Sequence, residues 1–327
     1  MDPLLFEKLH AEGLISEAAL QQVETREANR LFSLHRELRL LLYLGVLLLT
    51  GGLGVLVYKN IDTIGHQAVL AFIGLVTIGC FYYALRKKAP FSWQKVEAAD
   101  GAVDYILLLG CLSLLTFLAY LQFEYDVFGD NYGLATFIPM VILFAAAYYF
   151  DHLGVLSLAI TNLAAWAGLT ITPLSLLHTG NFASDRLILT GVLLGILLLL
   201  AGRLSTFRSL KAHFASTYYN FGLHLFFVAA LAGLFTYDRI YLLWCAGLLV
   251  LAGLFFIAAR RMRSFYYVLC IVLYAYIGLS YAALRLMWTT TADISFMLGL
   301  LYLGLSASGV ATLLIRLNRQ FRHHDSL

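Results

Sequence analysis

Charge is what this chain has least of. Lys, Arg, Asp and Glu make up 13% of its 327 residues, where a soluble domain carries about 25%. Hydrophobic residues make up 61% and the mean hydropathy is +0.82, so the composition excludes an ordinary soluble domain and points to a polytopic membrane protein. The net charge is only +3 and the basic residues are scattered over short segments, which excludes a nucleic-acid binder. Cysteine is scarce too. Cys80, Cys111, Cys245 and Cys270 lie in apolar runs without CxxC spacing, so they read as small apolar residues rather than disulfides or metal ligands. Of four prolines only Pro139 falls well inside an apolar run, which argues against the broken helices of transporters. GxSxG, HExxH and Walker A patterns are missing, so no catalytic residue, metal or cofactor is expected.

What remains is long apolar runs. About 20 apolar residues cross the hydrocarbon core as a helix. The first half offers Leu38–Tyr58, Gln67–Leu85, Tyr105–Phe123, Tyr132–Phe150 and Leu153–Thr172. The second offers Leu187–Gly202, Asn220–Thr236, Ile240–Ala259, Phe265–Leu284 and Ile294–Ile315. The expected fold is therefore all-α, a transmembrane bundle of ten spans. The sixth is short, with Arg186 and Arg203 placed to snorkel outward. The first run lacks a nearby small-x-small cleavage pattern and reads as a span rather than a removed leader. Residues 1–37 form an N-terminal helical segment, 38–315 the membrane domain, and 316–327 a basic tail.

The tetrapeptide FDHL, Phe150 to Leu153, interrupts an apolar stretch that could otherwise be one crossing. Two tests make it a turn between two spans. With a hairpin here and both termini cytoplasmic, every Lys and Arg except Lys59, Arg186, Arg239 and Arg285 falls on the cytoplasmic side. A single crossing would divide them almost evenly. It would also leave Asp151 near mid-membrane, at a cost of roughly 2.5–3.5 kcal/mol. Asp151 and His152 are then expected in water at the cytoplasmic face.

The extramembrane pieces are short. Pro3, Gly13 and Ser16 suit the starts and stops of two N-terminal helices, and Leu20, Val23, Leu31, Leu34 and Leu38 recur at helical spacing. That stripe packs on the protein's own loops or docks a partner. RLSTFRSLKAHF is read as an interfacial helix, with Leu204, Phe207, Leu210 and Phe214 on one face and Arg208 and Lys211 between them. Trp93 is expected at headgroup depth. Membrane lipid is thus one expected partner, and a protein bound through residues 1–37 another. Glu124, Asp126 and Asp130 match no EF-hand spacing and read as a solvated loop.

The start LHAEGLISEAALQQV, followed by a first span of the type LLLYLGVLLLTGGLGVLV, resembles a family of bacterial membrane proteins catalogued as domain of unknown function 2157. The resemblance is strongest over roughly the first 150 residues. It implies a protein of the bacterial cytoplasmic membrane and supplies neither an activity nor site residues.

Polar groups inside spans are where function is sought first. Glu97, Asp100 and Asp104 share one helical face entering the third span, where acids complement the helix dipole. Asn220 and His224 lie one turn apart at the start of the seventh, and His224 without a second intramembrane histidine does not suggest haem. Asn162 is central in the fifth span with Trp166 one turn on. It is expected to bond across to a neighbouring helix or to touch a substrate. Tyr274 and Tyr276 are too central in the ninth to be interfacial anchors, and could line a cavity with Asn162. Gly191 and Gly195 form a GxxxG motif. The leading reading is transport or handling of a small molecule or lipid in a cavity among spans three, five, seven and nine. Alternatives are a regulatory partner acting through residues 1–37, or an enzyme pairing His224 with Asp104 or Asp151.

Overall fold

The computed structural model describes residues 15–17, 35–96, 101–129, 131–171, 184–290 and 295–325. The proposed N-terminal helices, the acids Glu97 and Asp100 and the loop after Ile171 lie outside the described residues. All regular structure among the described residues is helical. Ten long helices follow one another: α1 His35–Ile64, α2 His66–Lys87, α3 Gly101–Tyr125, α4 Tyr132–Phe150 and α5 Leu153–Ile171. They continue as α6 Asp185–Phe207, α7 Ala215–Thr236, α8 Tyr241–Arg261, α9 Phe265–Thr290 and α10 Ser295–Asp325. Nine of them, α2 to α10, are long and apolar enough to cross a membrane. Within α1 the described apolar stretch is Leu40–Gly52.

Each expected span coincides with a helix. The sixth is not short: α6 has 23 residues, because helix continues through Arg203 to Phe207. Its start is capped by Ser184, whose hydroxyl accepts from the Leu187 N–H. Pro139 sits inside α4 without ending it.

The residues divide into two units, Met1–Val69 and Leu70–Leu327. The first holds α1, where Thr50 returns its hydroxyl to the carbonyls of Val46 and Leu47. The second is organised by consecutive helical hairpins, α4 with α5, α6 with α7 and α8 with α9. Helix α7 is the centre. It packs on α5, α6, α8 and α9 and buries Phe226, Phe227, Ala230 and Leu234.

In a bilayer, helices gain little by hiding apolar surface, so close contact between small residues decides which pairs associate. The GxxxG motif of α6 is used in this way. A Cβ added at Gly195 would lie 2.7 Å from the Phe226 nitrogen, and one at Gly191 would lie 2.8 Å from Ala229 Cβ. At the end of α6, Gly202 lets the Tyr219 ring approach the helix, 2.9 Å from where a Cβ would be.

Candidate functional site

Two polar clusters stand out, and FDHL builds the first. Helix α4 ends as Asp151 takes a left-handed conformation, φ 60° and ψ 41°. The Ala147 carbonyl accepts from the N–H groups of both Asp151 and His152, which satisfies the helix end. His152 then caps α5: its Nδ1 accepts from the Val155 N–H at 3.1 Å, and its carbonyl from the Leu156 N–H at 3.1 Å. Two residues stop one helix and start the next.

The hairpin is as expected from sequence, but its surroundings are not. Asp151 and His152 are not in water. The Asp151 side chain is 4% exposed and His152 is 4% exposed. Asp151 Oδ1 sits 3.1 Å from Lys211 Nζ and 2.6 Å from His213 Nε2, while Oδ2 accepts from the Val96 N–H at 2.6 Å. Three connections, α2–α3, α4–α5 and α6–α7, are thereby fastened to one carboxylate. A further bond, Lys211 N–H to Trp93 carbonyl at 2.9 Å, joins the first and third. Tyr148 completes the floor, with its hydroxyl 3.0 Å from that of Tyr218 and its ring edge-on to Phe214.

The interfacial helix expected for RLSTFRSLKAHF is replaced by this arrangement. After Phe207 the chain turns, with positive φ at Ser209 and Lys211, and a short 3-10 turn Ala212–Phe214 leads into α7. Lys211 is 1% exposed and Phe214 is fully buried, whereas Leu204 and Phe207 point outward. The four apolar residues therefore do not share a face. A left-handed lysine costs roughly 1–2 kcal/mol, and this conformation sets the ammonium 3.1 Å from Asp151 Oδ1. Ser205 Oγ donates to the Leu210 and Lys211 carbonyls and holds the turn.

Asp104 lines a cavity of about 30 Å³ beneath the cluster, together with Lys87, Lys88, Ser92, Asp151 and Lys211. That is room for a water molecule and not for an organic substrate. The ammonium of Lys88 lies over the Tyr149 ring, 3.4 Å from its centroid.

His152 carries a pH dependence. Because Nδ1 accepts from Val155, the proton is on Nε2, which is buried without a partner among the described residues. Burial holds its pKa below the ordinary 6.5, against a smaller upward pull from Asp104. As pH falls past 6.5 the unfolded chain takes up this proton before the folded one, so folded stability declines toward the lowered value. His152→Asn keeps a capping side chain and removes the titration. The expected result is a shallower fall in melting temperature between pH 7.5 and 5 than in the parent. Parallel curves would reject this role.

The second cluster joins α7 to α9: Asn220 and His224, one turn apart in the sequence, meet Tyr274, which the sequence reading sets beside Asn162 instead. Tyr266 completes it. Its hydroxyl donates to Asn220 Oδ1 at 2.8 Å, so it accepts from His224 Nε2–H at 2.8 Å. The other ring nitrogen, Nδ1, then accepts from the Tyr274 hydroxyl at 2.8 Å. Tyr274 also stacks on Phe227, 5.2 Å between centroids. Both His224 nitrogens are occupied by tyrosine, so neither Asp104 nor Asp151 partners it, and the proposed His–Asp pair is not formed. A neutral, satisfied imidazole here ties two helices together.

The remaining candidates are dispersed. Asn162 donates to the Leu158 carbonyl at 3.4 Å, one turn back in its own helix rather than across to another. Trp166 packs on Phe137 of α4, 5.5 Å between centroids. Tyr276 binds Ser306 of α10 at 3.1 Å and Ser280 pairs with Tyr302 of the same helix at 3.3 Å.

The larger spaces lie elsewhere. A groove of about 360 Å³ runs between α5, α6 and α7, walled by small residues such as Ala164, Gly168, Gly191, Ala229 and Ala232. A second, of about 250 Å³, lies among α6, α7, α8 and α9. Neither was legible as a motif: the first is what small residues scattered over three helices leave unfilled, and the second is bounded by residues drawn from four helices far apart in sequence.

No curated protein and no solved structure matches the chain. Residues 7–156, which run through the Asp151–His152 turn to the first residues of α5, match the family described as "Predicted membrane protein (DUF2157)", the family that the opening of the sequence resembles.

Proposed function

We propose that this membrane protein handles lipid, taking acyl chains into lateral grooves of its helix bundle. One observation carries the reading: the groove of about 360 Å³ between α5, α6 and α7 has an almost wholly apolar lining and offers no unused side-chain donor. Its polar lining side chain is Thr190, and that hydroxyl donates to the Arg186 carbonyl. A polar solute entering there would lose its hydration without replacement, at a cost of several kcal/mol. An acyl chain loses nothing and fills the space left by the small side chains. This favours lipid over transport of a hydrophilic small molecule, and moves the binding space from spans three, five, seven and nine to α5, α6 and α7. The membrane is proposed to be the bacterial cytoplasmic one, with the Asp151 cluster on the cytoplasmic side.

Photo-crosslinking tests this. A phospholipid with a diazirine in its acyl chain is reconstituted with the full chain, and labelled peptides are mapped. Labelling concentrated on 164–169 and 228–232, and reduced by Ala165→Phe, is the expected result. Labelling in proportion to outward exposure, as strong at Leu193 and Leu243 as in the groove, would reject it.

A further inference from the structure

We infer that the second groove, among α6, α7, α8 and α9, is a site for a phospholipid with an anionic headgroup, a reading that rests on the acyl-chain binding proposed above. The groove is polar at one end only. Leu199, Leu200, Leu223, Phe255 and Ile271 line its apolar body, and Arg203, Tyr219 and Tyr267 its mouth. The Tyr219 ring, seated on Gly202, walls that mouth beside the guanidinium. Tyr267 spends its proton on the Ser216 carbonyl, 3.1 Å away, which fixes the other side.

Charge decides the ligand. Arg203 is exposed, and no ion pair is formed by it among the described residues. The sequence has no Asp or Glu between Asp185 and Asp238, and none between Asp238 and Asp293. The α6, α7, α8 and α9 segments around the mouth therefore supply no carboxylate. Asp151, the acid fastened to the α6–α7 connection, is already held by Lys211 and His213. The α8–α9 connection brings Arg260, Arg261 and Arg263 to the same end, next to Met262 of the groove wall. A planar guanidinium beside an acyl-sized groove, with no carboxylate supplied by α6 to α9 at its mouth, matches a lipid phosphate. Anionic headgroups gain further from the neighbouring arginines.

The test is native mass spectrometry of the full chain in mixed micelles. The probes are phosphatidylglycerol and phosphatidylcholine with identical acyl chains. The expected result is preferential retention of phosphatidylglycerol. Arg203→Gln should weaken that retention about fivefold, the worth of one basic contact at a membrane surface, and weaken phosphatidylcholine retention less, because choline already offsets its phosphate charge. Arg203→Lys should keep part of it, and Arg239→Gln should leave it intact. Melting curves establish that each variant is folded. Undiminished phosphatidylglycerol retention in Arg203→Gln overturns the assignment. Equal retention of both lipids by the parent overturns it too, while leaving acyl binding standing. Retention of neither lipid overturns both readings. Competition by inorganic phosphate alone would show a free-anion site instead of a lipid site.

Discussion

Asp151→Asn is expected to cost the folded protein about 3–5 kcal/mol, the loss seen when one partner of a buried ion pair is removed. The carboxylate neutralises Lys211, whose side chain is 1% exposed, and it also receives the imidazole of His213 and the Val96 N–H. An asparagine in its place leaves the ammonium buried and uncompensated. It also offers a donor where a lysine or histidine already donates. Because the same group fastens three connections, its loss should loosen the ends of α3, α4 and α7 together. The double variant Asp151→Asn, Lys211→Met removes the stranded charge and should recover a large part of the loss. Thermal melting of the purified protein in detergent reads both. A single variant that melts with the parent would mean that the ion cluster does not hold the loops.

The second large effect is expected at Gly195. A Cβ there would stand 2.7 Å from the backbone nitrogen of Phe226 and 2.8 Å from its Cα, and backbone cannot rotate aside. Helices α6 and α7 must then separate along their closest contact. Gly195→Ala is expected to cost about 1–3 kcal/mol, the usual range for overpacking, and Gly195→Leu to prevent a monodisperse protein. The contrast is Gly247→Ala in α8, where an added Cβ meets nothing within 4 Å. There the better helix propensity of alanine should stabilise by about 0.5–1 kcal/mol. Equal melting temperatures for the two alanine variants would contradict the account of α6–α7 packing.

The helices were legible because apolar runs of membrane length admit few other structures. The FDHL turn was legible as well, down to Phe150 as the last residue of α4 and Leu153 as the first of α5. Its environment was not. The partners of Asp151 are Lys211 and His213, in a connection whose apolar spacing imitated a surface helix. The break at Phe207 needs left-handed residues that are neither glycine nor asparagine, Ser209 and Lys211, so no turn signal marks it. Around His224 the near neighbour Asn220 followed from helical spacing, whereas Tyr274 drew attention for its central place in α9 but was set beside Asn162, not His224. Tyr266 was passed over because a tyrosine at a span end is usually an interfacial anchor. Asn162 drew attention as a polar residue deep in a span, yet its own helix accepts its amide.

The central claim is that bilayer lipid occupies the grooves beside α7. A density map of the full chain in lipid nanodiscs tests it most directly. The account predicts elongated density between α5, α6 and α7, and a second lipid among α6, α7, α8 and α9 whose headgroup lies against Arg203. Grooves closed by protein side chains, with no density distinct from the surrounding bilayer, would contradict it.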